Sequence, residues 1–287
     1  MLRDTKRGNG FPLEGGRRLL EVNKIYNMDC VEGMKLLPDE CVDLTVTSPP
    51  YDNLRTYNRN VEHWNFEKFQ EVAKELYRVT KQGGVVVWIV ADATIKGSET
   101  GTSFKQALYF KECGFNIHDT MIWAKPSFTA VGTLKTRYAS TFEYMFVFSK
   151  GKPKTFNPIK DRKNIHAGKK KHGTIRQKDG STVPVSSIGK RYSEFGQRFN
   201  VWNMPPEQSN SKRCHPAQFP ERLAHDHIVS WSNPGDTVLD CFMGSGTTAI
   251  ACINTNRNYI GFELDKHYCE IANERIRKTL AEKEVSE

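Results

Sequence analysis

The chain has 287 residues, 38% of them hydrophobic, and a formal net charge of +9. That length suits one large domain or two small ones, with enough apolar residues for a sizeable core. No apolar run is long enough to span a membrane, the N-terminus is not an apolar signal segment, and seven scattered cysteines form no CxxC pair, which predicts a cytoplasmic protein with reduced thiols and no membrane partner.

Residues 1–23 read as a flexible lead. Lys24–Met28 predicts a short strand, with Asp29 at its end and a helix over Val31–Leu37 that Asp29 can cap. The apolar run Val42–Val46 predicts a strand that delivers the chain to Thr47-Ser48-Pro49-Pro50-Tyr51. Two prolines fix φ at successive positions and remove two backbone donors, so the carbonyls there stay free to accept hydrogen bonds. Ser48 adds an acceptor and Tyr51 adds a flat face. Such a turn can hold an amino group on a planar ring, although the same residues also serve as a plain proline turn after a strand. Residues 52–65 are polar, carry Arg55 and Tyr57, and predict a mobile loop over the active site.

Phe66–Val79 has the periodicity of an amphipathic helix, with Gly83-Gly84 expected to end it and Val85–Val90 to follow as a buried strand. A helix over Phe104–Cys113 and strands over Ile117–Trp123 and Phe142–Phe148 continue the pattern. Alternating strands and helices predict a doubly wound α/β sheet.

The charge is local. Residues 150–198 hold fourteen Lys/Arg against three Asp/Glu, while the rest of the chain has 28 basic against 30 acidic residues. Phe156, Tyr192, Phe195, Phe199 and Trp202 are interleaved with this run. A basic, aromatic-laced segment suits contact with nucleic acid, and a solvated face has the same look. Lys169, Lys170, Lys171, Arg176, Lys190 and Arg191, with Arg55 and Tyr57 upstream, are the candidate nucleic-acid contacts. Cys214-His215 is the only adjacent Cys/His pair in the sequence, and no metal site is expected from it.

His215-Pro216-Ala217-Gln218-Phe219-Pro220 opens a helix that runs to about Ser230. Thr237-Val238-Leu239-Asp240-Cys241-Phe242-Met243-Gly244-Ser245-Gly246-Thr247-Thr248 then reads as strand, glycine loop and helix start. Gly244 and Gly246 let the backbone approach a ligand, Thr247 or Thr248 can cap a helix over Ala249–Asn254, and the free N–H groups there favour an anionic group. The strand Asn258–Glu263 ends in an acid that can accept hydrogen bonds from a ribose diol. The loop lacks the third glycine of a dinucleotide site and the Gly-Lys-Ser/Thr ending of a P-loop, which argues against NAD binding and ATP hydrolysis.

Together the two motifs resemble the amino-methylating DNA methyltransferases, the N4-cytosine/N6-adenine family that uses S-adenosylmethionine (SAM). With the Thr-Ser-Pro-Pro-Tyr turn first and the glycine loop last, their order matches that family's permuted beta class. The resemblance implies a Rossmann-like SAM-dependent fold with a catalytic half over 24–149, a basic target-recognition region over 150–205 and a SAM-binding half over 206–287. It implies that Ser48, Pro49, Pro50 and Tyr51 hold the target amine. It also implies that the loop of Asp240, Phe242, Gly244, Ser245, Gly246, Thr247 and Thr248 holds SAM, with Phe219 against its methionine part, Asp29 near its adenine end and Glu263 at its ribose.

The implied reaction is site-specific methylation of the N4 amine of cytosine in double-stranded DNA, by base flipping and direct displacement. Ser48 usually accompanies cytosine in that family. Adenine N6 is the alternative, and a catalytically inactive DNA-binding module is the alternative of another class. No Pro-Cys dipeptide exists for ring-carbon methylation. A homodimer and a cognate restriction endonuclease are compatible with this reading. Cys241 stands where the family commonly has proline, which predicts a looser turn before the glycine loop.

Overall fold

The computed structural model of the protein describes residues 20–50, 64–127, 135–207 and 219–286. The chain begins with β1 (Lys24–Asn27), α1 (Cys30–Lys35), β2 (Val42–Thr47), α2 (Phe66–Val79) and β3 (Thr80–Val90). A small hairpin of β4 (Thr94–Ile95) and β5 (Ser98–Glu99) leads to α3 (Thr102–Glu112), β6 (Asn116–Ala124) and β7 (Phe142–Ser149). Four short strands follow: β8 (Arg162–Lys163), β9 (Thr174–Arg176), β10 (Thr182–Pro184) and β11 (Phe195–Gly196). Then come β12 (Val201–Asn203), α4 (Glu221–Trp231), β13 (Thr237–Asp240), α5 (Thr247–Asn254), β14 (Asn258–Glu263) and α6 (Lys266–Ser286).

Eight strands form one sheet in the order β1-β14-β13-β2-β3-β7-β6-β12. All neighbours are parallel except the two pairs that β7 makes with β3 and β6. The central strands are apolar on both faces because helices cover both. One layer packs α1, α2 and α3 against Val86, Trp88, Phe148, Leu239 and Phe262. The other packs α4, α5 and α6 against Leu44, Val46, Val87, Val147 and Val238. α2 buries Phe69, Val72, Ala73, Leu76 and Val79, the i, i+3, i+4 stripe of its sequence.

The winding changes direction between β13 and β2. α2 connects β2 to β3 across one face, and α5 connects β13 to β14 across the other. Such a switch point opens a crevice at the carboxyl ends of the two strands, where ligands bind in open α/β sheets.

Three expectations change. Gly83-Gly84 does not end α2, which stops at Val79; both glycines lie inside β3. Gly83 has φ +82°, its N–H donates to the Lys150 carbonyl (2.7 Å), and the β2–β3 register shifts between Val42 and Leu44. The pair therefore makes an irregularity that a side chain with Cβ resists. Residues 201–203, inside the span read as target recognition, form the edge strand β12 beside β6. Its Trp202 is buried against His227 (ring centroids 4.4 Å apart), and Phe156 stacks on Trp231 at 4.8 Å, so two of the interleaved aromatics belong to the sheet unit.

The chain divides into two compact units, Met1–Asn157 with Asn200–Glu287, and Pro158–Phe199. The smaller one is an irregular β-ribbon: β8 pairs with β11, Lys170 bridges to Arg191, and β9 pairs with β10. None of its residues is buried. No described helix is long and apolar enough to cross a membrane. The expected N-terminal lead up to residue 19, most of the polar 52–65 loop, and Cys214–Gln218 lie outside the described residues.

Candidate active site

β2 and β13 run side by side, with Leu44 opposite Val238 and Thr45 opposite Leu239. At their ends the Thr47 hydroxyl donates to Asp240 Oδ1 at 2.6 Å. The Thr248 hydroxyl donates to Oδ2 at 2.6 Å, and the Phe242 N–H donates to Oδ1 at 3.1 Å. Asp240 is fully buried; burial pushes its carboxyl pKa up, and the bonds from Thr248, Thr47 and Phe242 pull it back. Ser48 follows Thr47 directly and Cys241 follows Asp240 directly. One buried carboxylate thus ties together the starts of two loops 193 positions apart.

The glycine loop is held at each step. The Met243 N–H donates to the Phe262 carbonyl (2.9 Å), Gly244 N–H to Glu263 Oε2 (2.7 Å) and Gly246 N–H to the Met243 carbonyl (2.9 Å). From α6, Arg275 donates to the Ser245 carbonyl (2.6 Å) and hydroxyl (3.0 Å). Cys241, the residue expected to loosen this turn, is buried beside Met34. Gly246 has φ +85°, and a Cβ there would lie 3.0 Å from that of Ala272. This glycine is demanded by its left-handed conformation and by the packing of α6, beyond any approach of a ligand. Phe242 packs edge-on against Trp64 (5.2 Å) and Trp88 (6.1 Å).

Neither threonine caps α5. The N-cap is Gly246, with no side-chain cap bond, and Thr248 is committed to Asp240. The Thr247 hydroxyl is buried with no hydrogen-bond partner among the described residues. The first N–H groups of α5 and this hydroxyl therefore form a buried set of uncapped polar groups, suited to an anion.

The neighbouring strand ends extend the row. Asn27 of β1 lies opposite Glu263 of β14, so Asp29 and Glu263 emerge at the same edge of the sheet. Glu263 Oε1 accepts from the Asp265 N–H (2.8 Å) and Oε2 from Gly244, which leaves further acceptor capacity on each oxygen. Burial pushes its carboxyl pKa up against those two backbone bonds. Asp29 does cap α1: Oδ1 accepts from the Val31 and Glu32 N–H groups (2.9 and 3.2 Å) and pairs with Lys68 Nζ (3.0 Å). Its Oδ2 makes no hydrogen bond to a described residue, so capping and ligand contact are compatible. Phe219 is buried in the layer beneath α4 that also holds Met243. Pro49 is buried, and Ser48 and Pro50 are half-buried. Tyr51, Arg55 and Tyr57 lie outside the described residues. Burial pushes the Cys241 thiol well up and Cys30 to about 12, so neither is a thiolate nucleophile at neutral pH.

A family model described as DNA methylase matches residues 42–274, a span that includes both loops. The chain belongs to the N6/N4 DNA methylase family. It is 56% identical over 246 residues to the orphan methyltransferase M.BamHII of Bacillus amyloliquefaciens, covering 83% of this chain and 90% of that one. It is 31% identical over 290 residues to the type II methyltransferase M.MjaI of Methanocaldococcus jannaschii, covering 85% and 88%. Among solved structures it resembles the PvuII DNA methyltransferase (cytosine-N4-specific), with a TM-score of 0.64 and 23% identity over 89% of this chain and 90% of that one. It also resembles M1.HpyAVI, solved as a SAM complex, with a TM-score of 0.58 and 26% identity over 88% and 98%.

In this DNA methylase the candidate DNA contacts of the small unit are surface groups. Lys169, Lys170, Arg176, Lys190 and Arg191 are exposed and Lys171 is half-buried. Two are already engaged: Arg191 donates to the Gly168 carbonyl (2.6 Å), and Lys171 Nζ sits 5.2 Å over the Tyr192 ring. Lys150, the first cation of the basic run, is buried in the sheet unit and donates to the Tyr77 and Thr80 carbonyls (2.9 and 3.0 Å). Sequence reasoning missed Lys68 and Arg275, because neither lies in a motif and their partners are 39 and 30 positions away. It named Thr47 only as part of the turn; a hydroxyl at the end of an apolar strand was the available sign.

Proposed function

We propose that this DNA methylase transfers a methyl group from SAM to the N4 amine of cytosine at a specific site in duplex DNA. The observation that carries this reading is the Thr47–Asp240 hydrogen bond at the switch point, which fixes the proline turn beside the glycine loop. The residues present fit SAM. The uncapped start of α5 and the orphaned Thr247 hydroxyl suit its carboxylate, the loop Phe242–Gly246 suits its methionine chain, Glu263 suits its ribose hydroxyls, and Asp29 Oδ2 suits the adenine end. When bound, SAM supplies a methyl group already activated by its sulfonium.

The protein's own task is to position the amine. An exocyclic amine is a poor nucleophile because its lone pair is delocalised into the ring. The Ser48 hydroxyl oxygen and the Pro49 carbonyl accept its two N–H bonds, which favours a pyramidal nitrogen and so binds the transition state better than the ground state. Tyr51 stacks on the ring. A paired base cannot reach such a turn, so the target is flipped out of the duplex. Ser48, with its neutral hydroxyl, supports cytosine over adenine. The unit Pro158–Phe199, with eleven Lys/Arg against three Asp/Glu, serves as target recognition.

Incubation of the purified chain with SAM and mixed-sequence DNA, followed by nucleoside mass spectrometry, tests the reading. N4-methylcytosine is expected. N6-methyladenine overturns the base assignment, and a SAM-binding protein that yields neither nucleoside overturns the activity.

A further inference from the structure

The cations of the small unit fall into two groups. At its base and middle, arginines serve the fold. Arg162 donates to the Gln197 carbonyl (3.0 Å) and lies 4.4 Å over the Phe199 ring, Arg198 pairs with Asp161, and Arg191 donates to the Gly168 carbonyl. The far end is different. β9 and β10 form a hairpin in which Arg176 lies opposite Thr182. Its turn is locked: the Gln177 N–H donates to the Ser181 carbonyl (2.7 Å), the Gly180 N–H to the Gln177 carbonyl (3.0 Å), and Asp179 Oδ1 accepts from the Ser181 N–H and hydroxyl (2.9 and 2.7 Å). Within this fixed frame Arg176, Gln177 and Lys178 are exposed, and their side chains make no hydrogen bond to any described residue.

A guanidinium and an amide held out on a rigid turn are the side chains that read guanine and adenine edges by paired hydrogen bonds. A ribbon two strands wide fits the major groove, about 12 Å across, where that code is displayed. The surplus of positive charge over the unit complements the phosphates on either side. We propose that the hairpin tip, through Arg176 and Gln177, determines the recognition sequence by direct contact with base edges in the major groove, while Lys169, Lys170 and Lys190 hold phosphates. This assignment rests on the DNA-methylating reading given above.

The test is modification-sensitive sequencing of DNA treated with the full-length chain and its variants. Wild type is expected to modify one sequence context. Arg176→Ala is expected to relax that context at one base pair, with discrimination there falling about tenfold to hundredfold, the worth of one bidentate contact. Arg176→Lys keeps the charge and loses the fork, and is expected to relax the same position with an unchanged salt dependence. Lys170→Ala and Lys190→Ala are expected to keep the context and to lower the slope of log affinity against log salt by about one each. Arg176 and Gln177 variants that modify the same context with wild-type stringency overturn the proposal, as does relaxation by Lys190→Ala. A wild-type chain that modifies no DNA overturns the enzymatic reading itself, a distinct result.

Discussion

The sheet unit and the basic ribbon differ in what fixes their sequences. In the sheet unit, position after position is decided by packing. Apolar layers lie on both faces, Gly246 faces Ala272, and a buried carboxylate receives three donors. In Pro158–Phe199 no residue is buried, and backbone pairing with a few side-chain ties holds the ribbon together. A surface so lightly constrained by its own fold is free to be shaped by a partner, whereas the strand ends are constrained to one arrangement.

The largest effect is expected where the constraint is tightest. Asp240→Asn replaces one acceptor by a donor facing the Thr47 or Thr248 hydroxyl, and is expected to cost about 2–4 kcal/mol in denaturant unfolding and to abolish SAM binding. Wild-type stability in that variant would break the contrast between the units. Gly246→Val places a side chain at φ +85° against Ala272 and is expected to cost about 2–3 kcal/mol, so lost SAM affinity there accompanies lost stability.

Glu263 gives a pH-dependent effect of intermediate size. Its carboxyl pKa is raised in the folded protein, so its contribution to stability is present below the ordinary value of 4.5 and is lost as pH rises through the raised one. SAM affinity follows the opposite sign, because only the ionised form is all acceptor. Affinity is expected to fall as pH drops through the raised value, and Glu263→Gln is expected to flatten that profile in calorimetric titrations. The smallest change in stability belongs to the ribbon. Lys169→Ala with Lys170→Ala is expected to shift unfolding by less than about 0.5 kcal/mol per site while weakening DNA binding in a filter or fluorescence assay.

Much of the sheet unit was legible because its signals are local. Val42–Val46 and Val85–Val90 are apolar runs, Phe66–Val79 has a clean helical stripe, and the two motifs sit at strand ends. What was not legible depends on contacts distant in sequence. Gly83-Gly84 looks like a helix stop, yet β3 absorbs both glycines because Lys150, directly after the neighbouring strand β7, bonds to both. Trp202 looks like part of a basic recognition segment, yet β6 recruits it to the sheet edge. Thr247 and Thr248 look like caps until Asp240 claims one hydroxyl and burial orphans the other. In the ribbon, the charge could be counted from the sequence. Which arginines are tied down could not, since that follows from how its strands pair.

Amide hydrogen exchange with each ligand added separately tests the central division most directly. SAM alone is expected to slow exchange in peptides spanning residues 26–32, 241–248 and 263–265 and to leave 158–199 unchanged, while duplex DNA slows exchange in 158–199. Protection of 158–199 by SAM, with none at the glycine loop, would contradict the account.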